Sequence, residues 1–148
     1  MTAGTWYHIA VVRSGTTITI YVDGVAKGSG ASTTNLSPTT ALEIGQGVVT
    51  SAYPYYGYLD DLRITKGVAR YTSNFTPPTA SFSTVTPGEK YFYQNSLLLS
   101  ADGSNGSTAI VDSSANAHTI TANGNAQIST TQSKFGGSSM YFDGNGDY

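Results

Sequence analysis

Residues 17–22 alternate without a break. Ile18, Ile20 and Val22 fall on one face of an extended chain, and Thr17, Thr19 and Tyr21 on the other. A period of two with one apolar face predicts a β-strand with a dry side and a wetter side. The preceding run, Trp6 to Val12, is largely apolar on both faces and predicts a strand covered on two sides. Both runs are rich in β-branched and aromatic residues, which suit a pleated surface. Ser14-Gly15 supplies the turn between them, and Asp23-Gly24 begins the next. Val25-Ala26-Lys27 extends a third short strand from that turn.

Shorter extended runs follow, separated by turn residues. Residues 28–40 read as a loop of small and polar residues with Pro38, and residues 41–45 as a short strand. Residues 47–56 form a loop with the aromatic tip Tyr53-Pro54-Tyr55-Tyr56. Residues 57–65, GYLDDLRIT, read as one strand in which Asp60 shares a face with Leu62 and Ile64. A single helical turn is expected over residues 66–70. Residues 71–78 then leave the body of the domain, because Pro77-Pro78 cannot join a sheet interior. The Ser/Thr/Pro/Gly stretch 79–90 reads as a connector. Beyond it come the aromatic knot Tyr91-Phe92-Tyr93, a strand opening at Leu97-Leu98-Leu99 and the polar loop 102–106. Residues 110–112 read as short and extended, with a turn over 113–117. A hairpin is expected from 118–122 and 126–129 around Asn123-Gly124. After a turn at 134–137, residues 139–143 form the last strand. No segment carries a helical period, so the chain reads as all-β.

Composition narrows the partners. The 148 residues are enough for one domain with a real core. Charged residues make up 11%, the net charge is -2, and the 7 Lys and Arg are scattered. Nucleic acid and anionic membrane both need clustered cations, so neither is expected as a partner. With no Cys, disulfides and thiolate metal sites are excluded, and the chain suits any redox compartment. No run is long and apolar enough to span a bilayer. No signal peptide is read at the N-terminus, so work outside a cell would need another export route or a larger parent protein. The 17 Gly and 11 Tyr, with many Thr, Ser and Asn, fit any turn-rich β domain and also surface-exposed fibres and adhesins.

At this point several segments together carry a resemblance. Residues 5–21 resemble the TWYHIA…LYVDG segment of concanavalin-A-like, laminin-G-type jelly-roll domains. Residues 57–64 resemble that family's GxIDDxRI strand. Residues 97–148 resemble its opening, with LLL, an Asp-Gly loop, DSS…AHT, KFGG and YFDGxxDY. The resemblance implies an antiparallel β-sandwich of the kind found in repeats of phage and marine bacterial surface or tail proteins. The order is inverted: the family's closing part, here residues 1–78, precedes its opening part, here 91–148, and the central strands are missing. The sandwich is therefore expected to be incomplete or permuted, as one structural unit or as parts of two repeats joined through 79–90. Open sheet edges and an uncovered apolar face over Trp6 to Val12 would favour self-association by strand exchange between chains.

The resemblance implies a structural calcium, and Asp60 and Asp61 with Asp102, Asp112 and Asp143 are the candidate ligands. Ca²⁺ takes several carboxylate and carbonyl oxygens, which Asp-Gly-Asn loops supply. The competing reading has Asp60 capping backbone N–H groups and Asp61 pairing with Arg63. Asp143-Gly144-Asn145-Gly146-Asp147 mimics the start of an EF-hand loop, but Tyr148 follows where Gly is required, so a β-turn is expected. Tyr53, Tyr55 and Tyr56 either stack on sugar rings or pack on the sheet end. Trp6 is read as core, and His8 and His118 as satisfied strand histidines. The sequons at Asn35, Asn74 and Asn105 are read as chance. Glu43 and Glu89 lie on unlike segments and make no acid/base pair for glycoside hydrolysis, so no enzyme is expected. The function expected is a carbohydrate-binding or adhesive module on a virion or cell surface, or a self-assembling structural repeat.

Overall fold

The computed structural model describes residues 1–35, 41–47, 53–82, 84 and 90–148. Its strands are β1 (Ile9–Ser14), β2 (Thr17–Val22), β3 (Val25–Ala31), β4 (Tyr56–Leu59), β5 (Leu62–Thr65), β6 (Asn95–Leu99), β7 (Gln127–Ser129) and β8 (Ser139–Asp143). One 3₁₀ turn, Phe92–Gln94, is the only helical element among the described residues. The fold is all-β, and every sheet is antiparallel: a β1-β2-β3 meander, a β4-β8-β7 sheet and a β5-β6 pair.

Strands of residues 1–78 pair with strands of residues 91–148. Tyr58 sits opposite Tyr141 and Leu59 opposite Met140, while Leu62 sits opposite Leu99. The core follows from alternation on those strands. Met140 and Phe142 of β8 point inward with Leu97 and Leu99 of β6, Ile128 of β7, Ala101 and Ala126. Leu59, Leu62, Ile44, Ile110 and Ile120 pack against them. Most of the buried apolar mass thus comes from 91–148, and β4 and β5 dock onto it.

The meander stands apart from that core. Asp23 (φ 49) and Gly24 (φ 76) are both left-handed, as the two-residue hairpin between β2 and β3 requires. Gly24 is also a point of close approach: a Cβ there would lie 1.8 Å from the Phe75 carbonyl oxygen. The Phe75 N–H donates to the Gly24 carbonyl at 2.9 Å, and the Ala26 N–H donates to Asn74 Oδ1 at 3.0 Å. Phe75 stacks on Tyr71 at 3.5 Å and meets Tyr21 and His8 edge-on, each at 5.4 Å.

These contacts correct several expectations. Residues 71–78 do not leave the body; Phe75 brings them back onto the meander, because an aromatic side chain gains more by burial than Pro77-Pro78 loses by staying outside a ladder. Neither face of β2 is uniformly dry: Ile18 and Val22 are half-buried, and Thr17 is exposed. Tyr21 is the one buried residue of the strand, under Phe75, while Ile20 on the opposite face is 47% exposed. The first strand starts at Ile9 rather than Trp6 and is not covered on both sides: Val11 is 66% exposed. Trp6 is half-buried and lies outside the core. β3 runs on to Ala31, four residues beyond Lys27. Residues 41–45 and 118–122 form no strand, although Ile44 and Ile120 still pack on the core as irregular chain. Residues 66–70 are bends and irregular chain, not a helical turn.

The GYLDDLRIT stretch is two strands rather than one. Asp61 adopts φ 50, which turns the chain between β4 and β5 and sends them into different sheets. The alternation that put Asp60 beside Leu62 and Ile64 is interrupted there. The loop readings over 36–40 and 48–52, and most of the connector (83 and 85–89), lie outside the described residues.

Candidate functional site: a tyrosine face on the β4-β8-β7 sheet

The loop tyrosines enter β4 and divide into two roles. Tyr53 is 89% exposed and Tyr56 is 74% exposed. Tyr55 instead anchors the loop: its hydroxyl donates to the Tyr58 carbonyl at 3.0 Å and its ring meets Phe142 of the core edge-on at 5.9 Å. The two readings of this loop therefore apply to different residues. Tyr55 packs on the sheet end, and Tyr53 and Tyr56 are available to a ligand.

Register extends the aromatic surface beyond the loop. On β4, Tyr56 and Tyr58 face away from the core, since Leu59 packs against it. On β8, Met140 and Phe142 are buried, so Tyr141 and Asp143 face outward beside them. The Tyr58 and Tyr141 rings lie 5.1 Å apart, tilted by 38°. Partial desolvation pushes the Tyr141 hydroxyl up, and Tyr56, Tyr58 and Asp143 push it further, as expected where four such groups converge. The Asn125 side-chain amide donates to Asp143 Oδ2 at 2.7 Å and, with the Asn145 N–H on Oδ1, holds the Asp143 carboxyl below the usual range.

A buried aspartate below the surface fixes this rim. Asp147 is 1% exposed; its Oδ1 accepts from the Asn125 N–H at 2.8 Å and its Oδ2 from the Asp143 N–H at 2.6 Å. The Asp143–Asp147 segment is a bend held by its own carboxylates rather than the simple β-turn expected. Tyr58, Tyr141, Asn125 and Asp147 were not among the sequence candidates. Each looks like an ordinary strand or turn residue until the β4–β8 register is known.

The five candidate calcium ligands do not assemble. Asp112 accepts from the N–H groups of Leu98, Ser114 and His118 and from the Ser114 hydroxyl, so both its oxygens are occupied. Asp143 belongs to the tyrosine face. Asp60 Oδ2 accepts from the Lys134 and Phe135 N–H groups at 2.6 and 2.8 Å, the backbone-capping role weighed for it. Asp61 Oδ2 accepts from the Phe82 N–H at 3.0 Å, and the Arg63 guanidinium lies 3.8 Å over the Phe82 ring. Asp60 Oδ1 and Asp61 Oδ1 are buried without a hydrogen-bond partner. Burial raises both carboxyls, Asp61 to about 6, with Asp60 and Asp102 adding repulsion. Among the described residues no group of three or more His, Cys, Asp or Glu is placed to hold a metal.

The histidines differ from expectation. His8 precedes β1 and is not satisfied: its Nδ1 is buried without a partner, and burial and Arg63 lower its pKa. It packs edge-on with Tyr71 and Phe75, as a neutral ring. His118 lies outside any strand, and its N–H caps Asp112. Asn74 and Asn105 use their side-chain oxygens on the Ala26 and Thr130 N–H groups. An apolar cleft of about 480 Å³ lies elsewhere, between residues 41–44 and 118–123 over Leu97, Leu99, Met140 and Phe142. It is the incompletely covered side of the core, lined mainly by aliphatic side chains with Phe142, Tyr148, His118, Asn123 and Gln127 among them. Glu43 borders this cleft and accepts from Gln46 Nε2 at 3.4 Å; Glu89 lies outside the described residues.

No curated protein and no solved structure matches the chain. Residues 1–70, which contain the meander, β4 and β5, match a laminin-G-type family model described as the concanavalin A-like lectin/glucanases superfamily, and the antiparallel all-β architecture agrees with that similarity.

Proposed function

We propose that this chain is a non-catalytic carbohydrate-binding or adhesive module of a phage tail or virion, or of a bacterial surface protein. The observation that supports it is the exposed tyrosine face: Tyr53 and Tyr56 stand in solvent beside the Tyr58–Tyr141 pair and the Asn125–Asp143 pair. Flat aromatic rings next to amide and carboxylate groups suit sugars, whose C–H faces stack while their hydroxyls bond. On a glycan array, the wild-type chain is expected to bind at least one glycan. A Tyr53→Ala/Tyr56→Ala double variant should bind it about tenfold more weakly, the worth of one or two lost aromatic contacts. An array that stays blank for a folded wild-type chain removes the proposal.

Calcium enters this proposal only at Asp60 and Asp61, whose orphaned oxygens are the fit that supports it. When bound, the ion would offset two half-buried negative charges. The pH sign is fixed by the raised carboxyls. Stability from Asp61 is complete below its ordinary pKa and is lost as pH rises through about 6. In excess chelator at pH 7.5, Asp61→Asn is therefore expected to melt about 3 °C higher than wild type, roughly 1 kcal/mol after solvent screening, and to match it below about pH 4. Calcium should raise the wild-type Tm and not that of the variant. Equal wild-type melting with calcium and with chelator dismisses the ion.

The second reading is a structural repeat that self-assembles by strand exchange. It is favoured by one apolar face of the meander, where Ile9 (49%), Val11 (66%), Ile20 (47%) and Val25 (45%) are exposed together. Burying that face would give each contact a hydrophobic gain. Light scattering after size exclusion is expected to show a dimer or larger species that Val11→Lys dissociates. A wild-type monomer at every concentration counts against it.

A further inference from the structure

The outward positions of the β4-β8-β7 sheet form a surface with one sign of charge. Those open to solvent are Tyr56 and Tyr58 on β4, Tyr141 and Asp143 on β8, and Gln127 on β7 opposite Tyr141, while Ser129 and Ser139 on the same face are buried. None is Lys or Arg. Asp143 is the ionisable group at this rim, and it is held as a carboxylate by Asn125. Residues two apart on a strand lie roughly 7 Å apart and neighbouring strands roughly 5 Å apart. Tyr56 and the Tyr58–Tyr141 pair thus offer two stacking positions side by side, along the direction of β4.

We propose that this face binds a neutral, extended polysaccharide through two consecutive sugar rings, one over Tyr56 and one over the Tyr58–Tyr141 pair, with hydroxyls of the chain meeting Asp143 and Asn125. This rests on the carbohydrate-binding reading above and names its ligand class. The carboxylate and side-chain amide together supply an acceptor and a donor for adjacent hydroxyls. The same carboxylate repels uronate or sulfate groups, which would need Arg or Lys on the face for compensation. Discrimination against acidic glycans is therefore built into Asp143, and affinity into the rings.

Affinity electrophoresis in native gels tests this, with glucomannan, xyloglucan and dextran as neutral probes and alginate and dextran sulfate as anionic ones, at low ionic strength. At least one neutral probe is expected to retard the chain about tenfold more strongly than either anionic probe. Tyr58→Ala and Tyr141→Ala should each lose about tenfold, whereas Tyr141→Phe keeps the ring and the binding. Asp143→Asn should narrow the neutral-over-anionic preference at least severalfold. Far-UV circular dichroism and melting identify any variant that fails to fold, and Asp143→Asn carries the comparison in that case, an unchanged neutral-over-anionic preference overturning the inference. Preference for an anionic probe overturns this inference. So does neutral binding that survives Tyr141→Ala but is lost on Tyr53→Ala/Tyr56→Ala, while leaving the loop-based reading intact. No retardation by any probe overturns both.

Discussion

Asp112→Ala is expected to destabilise the fold by about 3–5 kcal/mol at pH 7, measured by urea denaturation. Asp112 is 5% exposed and accepts four hydrogen bonds: from the Leu98 N–H at 3.0 Å and from the Ser114 N–H, the Ser114 hydroxyl and the His118 N–H at 2.9 Å each. It thereby ties β6 to the 113–118 turn. Truncation leaves three backbone donors without an acceptor, each costing about 1–3 kcal/mol if water cannot reach it. The pH dependence separates this cause from lost packing. Burial would raise the Asp112 carboxyl, but the Ser114, His118 and Leu98 N–H groups outweigh it and hold it below its ordinary value. Its stabilisation is present above the ordinary carboxylate range and is lost as pH falls through the lowered pKa. The gap between wild type and variant should therefore be constant from pH 5 to pH 7, in rough terms, and close only below about pH 4. A loss under about 1 kcal/mol would mean that this carboxylate does not organise the turn.

Ile128→Ala is expected to cost about 3–4 kcal/mol, within the range for removing a fully enclosed aliphatic side chain. Ile128 is 0% exposed, and the ideal Cβ position at Gly103 lies 3.5 Å from its Cγ1. Its N–H donates to the Ser107 carbonyl and its carbonyl accepts from the Gly106 N–H on one edge of β7, while β8 pairs along the other edge with Met140 opposite Ile128. The surroundings are thus held on two sides and have little room to collapse into the cavity. Val11→Ala removes a similar aliphatic group from the meander at a site that is 66% exposed, and should change stability by no more than about 0.5 kcal/mol. The comparison locates the core. Equal losses at the two positions would place the meander face in a packed interior and would contradict the arrangement described here.

The strands whose pattern repeats over five or six residues were legible in the sequence. Thr17–Val22 and Ser139–Asp143 lie where alternation puts them, and the Asp23-Gly24 turn was written in its residue types. What alternation does not carry is which face is covered. Ile18, Ile20 and Val22 form the more apolar side of β2, yet Tyr21 is buried, because Phe75 reaches it from 54 residues away in the chain (75 minus 21). The break at Asp61 was equally hidden. GYLDDLRIT alternates well enough to read as a single strand, and only the left-handed Asp61 divides it. The candidate site was half legible. An aromatic tip around Pro54 and ahead of Gly57 announced Tyr53, Tyr55 and Tyr56, but local sequence cannot tell which of three tyrosines anchors and which remain exposed. Tyr141 and Asp143 joined them only through the β4–β8 register, a pairing between residues more than 80 apart: Tyr58 and Tyr141 differ by 83. The aspartates misled for a related reason. Asp-rich turns supply metal ligands and backbone caps with the same residue types, and here Asp112, Asp143 and Asp147 close turns.

The claim that matters most is that the tyrosine face is where a glycan binds. Amide chemical-shift mapping tests it most directly, by titrating the labelled chain with a neutral oligosaccharide cut from whichever polysaccharide retards it. The expected result is a saturable set of shifts confined to residues 53–58, 125–127 and 141–145, with the meander and the far walls of the cleft, residues 41–44 and 118–122, unmoved. Saturable shifts centred on β1 to β3 or on the cleft, with the tyrosine face silent, would contradict the account.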